Sequence, residues 1–184
     1  STHDVPNIYH VPLMLQEQGL CDILGVDCSA TGMLDDWKAM AFHLDTLTEE
    51  VHIAMVGKYT DLSDAYLSVI KSLQHAAMAV DRKLVIDWIE ASHLEENWAA
   101  EDHEAAWAAL RRADGVLVPG GFGDRGVEGK IRAAHYARTE GVPYLGICLG
   151  LQIATIEFCR NVLGMTGANS TEFEDNPEHA AVCL

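Results

Sequence analysis

From Val51 onward the sequence alternates short apolar runs with longer segments of helical spacing, and that rhythm leaves few folds open. The runs "VHIAMVG" (51–57), "KLVIDWI" (83–89), "GVLVPGG" (115–121) and "PYLGI" (143–147) read as buried strands. The segments 63–80, 100–113, 127–141 and 151–164 read as helices. In the first of these, Tyr66, Val69, Ile70, Leu73 and Ala77 recur at helical spacing behind Ser63 and Asp64 as caps. The second carries acids early and arginines late, which suits the helix dipole, and Gly141 stops the third. Strands and helices alternating at these lengths predict an α/β fold, with a mostly parallel sheet covered by helices on both faces.

Residues 1–50 do not share this rhythm. A short amphipathic helix is expected over 11–20, ended by Gly19, then a linker over 21–32. A helix is expected over 33–50, with Trp37, Met40, Ala41 and Leu44 on one face. This part reads as the end of a different domain plus a connector.

Composition narrows the partners. A formal net charge of −16 disfavours bulk binding to nucleic acid or anionic membranes. No apolar run approaches the roughly 18 residues of a membrane span, and the N-terminus lacks the pattern of a secretory signal. The five cysteines show no CxxC pair, so neither a disulfide framework nor a zinc site is expected. A reducing, cytoplasmic setting is the expectation.

The chemistry concentrates at "PYLGICLGLQ" (143–152). Gly146-Ile147-Cys148-Leu149-Gly150 has the form G-x-C-x-G between a strand and a helix, the cysteine counterpart of a serine nucleophile elbow. So tight a turn requires residues without bulk two places either side of the nucleophile. It would present the thiol at the carboxyl end of a parallel strand, where open α/β sheets bind ligands. The following helix N-terminus favours an anion there. The competing reading is an inert buried thiol, common for free cysteine. A second strand ends in "VPGGFGDRG" (118–126), whose glycines can present bare backbone N–H groups to an anion. A thiol and a set of amides at neighbouring strand ends can make a nucleophile and an oxyanion hole; a plain turn without ligand is the alternative.

Taken together, "VPGGFGDRGVEGK" (118–130), "GICLGLQ" (146–152) and "NSTEF" (169–173) resemble the glutaminase domain of the CTP synthases, which are class I glutamine amidotransferases. "MVGKYTDLSDAYLSVIKSL" (55–73) is similar to the start of that domain, and "HDVPNIYHVPLMLQEQGL" (3–20) to the end of the family's amidoligase, or synthetase, domain. The resemblance implies a flavodoxin-like sheet, incomplete at its C-terminal end and preceded by a helical linker. It implies three parts: 1–24 the end of the synthetase domain, 25–50 the interdomain linker, and 51–184 the N-terminal part of the amidotransferase domain. Cys148 would attack the side-chain amide of glutamine, with Gly121 and the Leu149 amide as oxyanion hole. Gly150, Leu151, Gln152 and Glu172 would complete the glutamine site. His3, Asp4 and Val5 resemble a stretch lining the ATP site, and Lys58 and Arg125 fall in segments associated with activation by GTP. No metal ligand is implied in this chain; ATP and Mg²⁺ would belong to the synthetase domain, which also takes UTP. Homotetramers and filaments are implied for the full-length protein.

The sequence departs from the family where the family's cysteine works with a His-x-Glu pair further along. "NPEH" (176–179) puts Asn176 where that histidine would stand, and it follows the elbow too soon. His135, on a predicted helix, reads as surface or packing. No general base is therefore expected here, and this chain alone is expected to be inactive. Gly57-Lys58 lacks the first glycine of a phosphate-binding loop and is followed by Tyr59. Two other readings remain: a flavodoxin-like cysteine hydrolase of another class, and a non-catalytic binding or assembly fragment.

Overall fold

The computed structural model describes residues 7–13, 23–25, 32–58, 63–121 and 124–183. The elements used below are α1 (Gly32–Thr46), β1 (Glu50–Gly57), α2 (Leu67–Ala79), β2 (Lys83–Glu90), α3 (Ala100–Arg112), β3 (Gly115–Val118), α4 (Val127–Glu140), β4 (Tyr144–Gly146), α5 (Leu149–Asn161), β5 (Ala168–Ser170) and β6 (His179–Val182). The chain divides into two compact units, Ser1–Glu50 with His75–Lys83, and Val51–Gln74 with Leu84–Leu184.

The first unit holds a small core of Tyr9, Ala41 and Met78, with Leu13, Met40, Leu44 and Leu47 against it. The Tyr9 hydroxyl meets His75 Nε2 at 2.8 Å. Asn7 caps the short 3₁₀ turn Ile8–His10 by accepting from the Tyr9 amide. The helix expected over 33–50 ends at Thr46, and Glu50 already belongs to β1. Most of the helix expected over 11–20 lies outside the described residues, as do His3, Asp4 and Val5.

The second unit is the predicted sheet. Its order is β2-β1-β3-β4, and β3 pairs in parallel with both β1 and β4. Ala54 pairs with Val116 and Val118 with Gly146, so β1, β3 and β4 end along one edge. Because strand side chains alternate, Ala54, Val56, Val116 and Val118 face one way. They form a core with Leu110 of α3 and with Ala133 and Ala137 of α4. The opposite face carries Ile53, Leu117 and Leu145 beside Leu73 of α2. Helices on both faces of a parallel sheet match the predicted class.

Boundaries moved for local reasons. The third strand stops at Val118, because Pro119 has no N–H for a ladder. Helix α5 starts at Leu149, directly after the cysteine, two residues earlier than expected. The helix expected over 63–80 opens as a 3₁₀ turn, Ser63–Tyr66, before α2. Two features had no sequence expectation: the parallel pair β5-β6, and a 3₁₀ segment Ala91–Leu94 pressed on α4. A Cβ on Gly129 would stand 1.7 Å from the Ala91 carbonyl oxygen, so only glycine permits that approach.

Candidate active site

Cys148 sits between β4 and α5 with φ 54° and ψ −105°. A positive φ is strained for a residue with a Cβ, at a cost of about 1–3 kcal/mol, and such strain gathers at functional sites. The flanking glycines make the turn possible. A Cβ on Gly146 would lie 2.4 Å from the Gly150 carbonyl, and one on Gly150 would lie 2.1 Å from the Val118 carbonyl oxygen. The elbow thus packs backbone on backbone. The Ile147 amide donates to Val118 at 3.0 Å, and the Tyr144 hydroxyl donates to the Gly150 carbonyl at 2.8 Å. Burial first, and the Glu157 carboxylate second, raise the Tyr144 pKa, so the phenol stays a donor. The thiol at the summit is exposed.

The first turn of α5 leaves a donor for a ligand. The amides of Leu151 and Gln152 bond to the Cys148 carbonyl, and that of Gly150 to Ile147. The Leu149 N–H, among the described residues, has no such acceptor. Gly120 and Gly121 follow β3 alongside. A Cβ on Gly120 would be 3.5 Å from the Cys148 Cβ, and one on Gly121 would be 3.6 Å from Leu149 Cδ2. Gly121 and Leu149 line a cavity of about 170 Å³ with Gly57, Lys58, Tyr66, Pro119, Gly120 and Lys130. Nucleophile, glycine turn and helix N-terminus therefore share the carboxyl edge of the sheet.

The remaining predicted residues are spread more widely. Gln152 lies on the first turn of α5, and its Oε1 is buried with no hydrogen-bond partner among the described residues. Leu151, next to it, is exposed. Glu172 lies in the turn after β5, where its amide donates to Ser170 Oγ at 3.2 Å. Its neighbour Phe173 packs against the cluster holding Leu149 and Ile153, which ties this turn to α5. Lys58 and Arg125 line different cavities. Arg125 borders one of about 570 Å³ with Glu95, Trp98, Asn169 and Phe173, and bonds to Glu90 at 3.4 Å.

Each histidine near the elbow in sequence has a carboxylate neighbour. His135 Nδ1 pairs with Glu157 Oε1 at 2.8 Å, and His179 Nε2 lies 3.9 Å from Glu178 Oε1. Among the described residues no hydrogen bond joins a histidine to Cys148. No group of three His, Cys, Asp or Glu among those residues could hold a metal ion.

Sequence reasoning missed Lys130, which is 3% exposed and lines the same cavity as Gly121. The signal was present. Lys130 stands three residues after Val127 and four before Ala134, on the face of α4 that is buried. Glu157, 2% exposed, is a second case, four residues after Ile153.

The family model for class-I glutamine amidotransferases matches residues 61–180. A CTP synthase of Dictyostelium discoideum is 53% identical over 93% of this chain, and human CTP synthase 1 is 49% identical over 98%. The chain spans only 34% and 32% of those two proteins. A solved glutaminase domain of Trypanosoma brucei CTPS with bound acivicin superposes with a TM-score of 0.65 at 44% identity, over 73% of this chain and 50% of that one. With its elbow cysteine, its glycine turn and this match across most of its length, the chain belongs to the class-I glutamine amidotransferase family.

Proposed function

We propose that this chain carries the glutamine-hydrolysing centre of a CTP synthase. The observation that carries the reading is the strained, exposed Cys148 between the Leu149 amide, which has no acceptor among the described residues, and the Gly120-Gly121 turn. The Cys148 thiolate attacks the carboxamide carbon of glutamine. The carbonyl π pair moves onto oxygen, where the Leu149 and Gly121 N–H groups stabilise it; one such donor is worth about 10²–10³ in rate. Collapse of the adduct breaks the C–N bond as the nitrogen takes up, through solvent, the proton that the thiol gave up, and it leaves as ammonia. Water then cleaves the γ-glutamyl thioester to glutamate and free thiol. Gly150, Leu151, Gln152 and Glu172 hold the substrate, and the orphaned Gln152 Oε1 is an acceptor awaiting a donor such as an ammonium or amide.

In this reading the ammonia aminates UTP in a synthetase domain of which 1–24 is the end and 25–50 the linker. That domain binds ATP and Mg²⁺, with His3, Asp4 and Val5 at the ATP site. GTP activates through the segments of Lys58 and Arg125, and the protein works in the cytoplasm as a homotetramer able to form filaments. Among the described residues no histidine is hydrogen-bonded to Cys148, which supports the reading that this chain by itself does not turn glutamine over. The test is covalent. Acivicin added to the complete polypeptide, followed by peptide mapping, should give a single adduct on Cys148, suppressed by excess glutamine. Labelling that favours Cys159 or Cys183, or that glutamine does not suppress, would contradict the reading.

A further inference from the structure

Two buried polar side chains at the carboxyl edge of the sheet are short of hydrogen-bond partners. Lys130, on the first turn of α4, is 3% exposed. Its ammonium carries three donors, and among the described residues it makes one hydrogen bond, to the Arg125 carbonyl at 3.2 Å. Glu90 and Glu95 favour its charge, but among the described residues neither accepts a hydrogen bond from it. Tyr66 is 8% exposed, and its hydroxyl has no hydrogen-bond partner among the described residues. Buried polar groups are as a rule hydrogen-bonded, and an ammonium out of water is costly unless it is compensated. A methionine would fill the space of Lys130 without that cost, so packing alone does not account for a lysine.

Both side chains line one cavity, of about 170 Å³, together with Gly57, Lys58, Gly120 and Gly121. The sheet order β2-β1-β3-β4 fixes its place in the fold. From β1 the chain goes to β2 on one side, and it returns as β3 on the other. Gly57 ends β1, and Gly120 and Gly121 follow β3. The cavity therefore lies outside the carboxyl ends of these strands, at the topological switch point where open parallel sheets bind ligands. A Cβ on Gly57 would stand 3.3 Å from the Tyr66 hydroxyl oxygen, which puts that hydroxyl at the end of β1. Lys58 is a second cation. Burial most of all, then the nearby Lys58, disfavour the charge on Lys130, and an anion in the cavity would relieve that repulsion. Pockets for drug-sized molecules run to about 300–1,000 Å³, so this smaller one suits an ion of a few atoms rather than a nucleotide.

We propose that this cavity is a binding site for a small oxyanion of the phosphate type, held by the Lys130 and Lys58 ammonium groups and the Tyr66 hydroxyl and separate from the Cys148 thiol. The probe is inorganic phosphate, titrated by calorimetry into the complete polypeptide at low ionic strength. Binding should be saturable. It should weaken about 10–100-fold in Lys130→Met and about 2–10-fold in Tyr66→Phe, the losses expected for a charged and a neutral hydrogen bond. Both variants should keep the parent's circular dichroism spectrum. If Lys130→Met does not fold, Tyr66→Phe, which removes a single oxygen, decides. Cys148→Ala should bind phosphate as the parent does. Absence of saturable binding, or binding equal in the parent and in every folded variant of Lys130 and Tyr66, would overturn the site. Loss of binding in Cys148→Ala would overturn it by moving the anion to the elbow. Displacement of phosphate by GTP would assign the cavity to the phosphate groups of a nucleotide and so overturn a separate small-ion site. Release of ammonia from glutamine is a different measurement, so the glutaminase reading stands or falls independently.

Discussion

At the scale of single residues, the glycines divide by what a methyl group would meet. Gly150 has no room, since a Cβ there would stand 2.1 Å from the Val118 carbonyl oxygen. Gly121 has room, with nothing among the described residues beyond its chain neighbours nearer than Leu149 Cδ2 at 3.6 Å. Gly150→Ala should therefore destabilise the fold by about 1–3 kcal/mol or more, even though alanine favours a helix by about 1 kcal/mol. Gly121→Ala should leave urea stability within about 0.5 kcal/mol of the parent and lower only glutamine turnover, where the methyl meets substrate. Equal stability losses in the two variants would show that the turn is packed differently. The spacing G-x-C-x-G by itself makes the requirement at Gly150 legible, because a nucleophile elbow leaves no room two places after its summit. What Gly121 meets depends on a loop against a helix 28 residues away, which spacing does not encode.

At the scale of elements, α4 and α5 are joined by a buried carboxylate. Glu157 accepts two bonds from Arg138 Nε, at 3.1 and 2.9 Å, and one from Nη2 at 2.8 Å. It also meets His135 and Asn161. Burial raises its pKa, but the bonds from Arg138, His135 and Asn161 outweigh burial, and the net shift is downward. A carboxylate with a depressed folded pKa stabilises the fold above its unfolded value, about 4.3, and that contribution is lost as pH falls through the folded value. Urea midpoints at pH 7 should thus be lower for Glu157→Gln than for the parent, and the gap should narrow as the pH falls below the ordinary carboxylate range and the parent becomes protonated too. A gap that stays unchanged through the whole acid titration would assign the loss to packing instead. The helices themselves were legible from apolar spacing. Their clasp was not, because Glu157 and Lys130 read as solvated surface unless charged residues are placed on the helical face together with their apolar neighbours. The β5-β6 pair, Ala168–Ser170 and His179–Val182, was also hidden. Strands of three and four residues leave too short a pattern to read.

At the scale of the whole molecule, the sheet's carboxyl edge assembles the site from three strand ends far apart in sequence, Gly57-Lys58, Pro119-Gly120-Gly121 and Ile147-Cys148. Alternating strands and helices made that edge predictable, since in a parallel sheet such ends converge. The central claim is a division of labour. In the proposed CTP synthase, Cys148 would release ammonia and the amination of UTP would take place elsewhere in the polypeptide. The direct measurement is CTP formation by the complete polypeptide carrying Cys148→Ala, supplied either with glutamine or with ammonium. Glutamine-dependent synthesis should be lost, with ammonia-dependent synthesis within about twofold of the parent, because removing a nucleophile affects only the step that needs it. Equal loss with both nitrogen sources in a folded protein, or glutamine-dependent synthesis that survives the substitution, would contradict it.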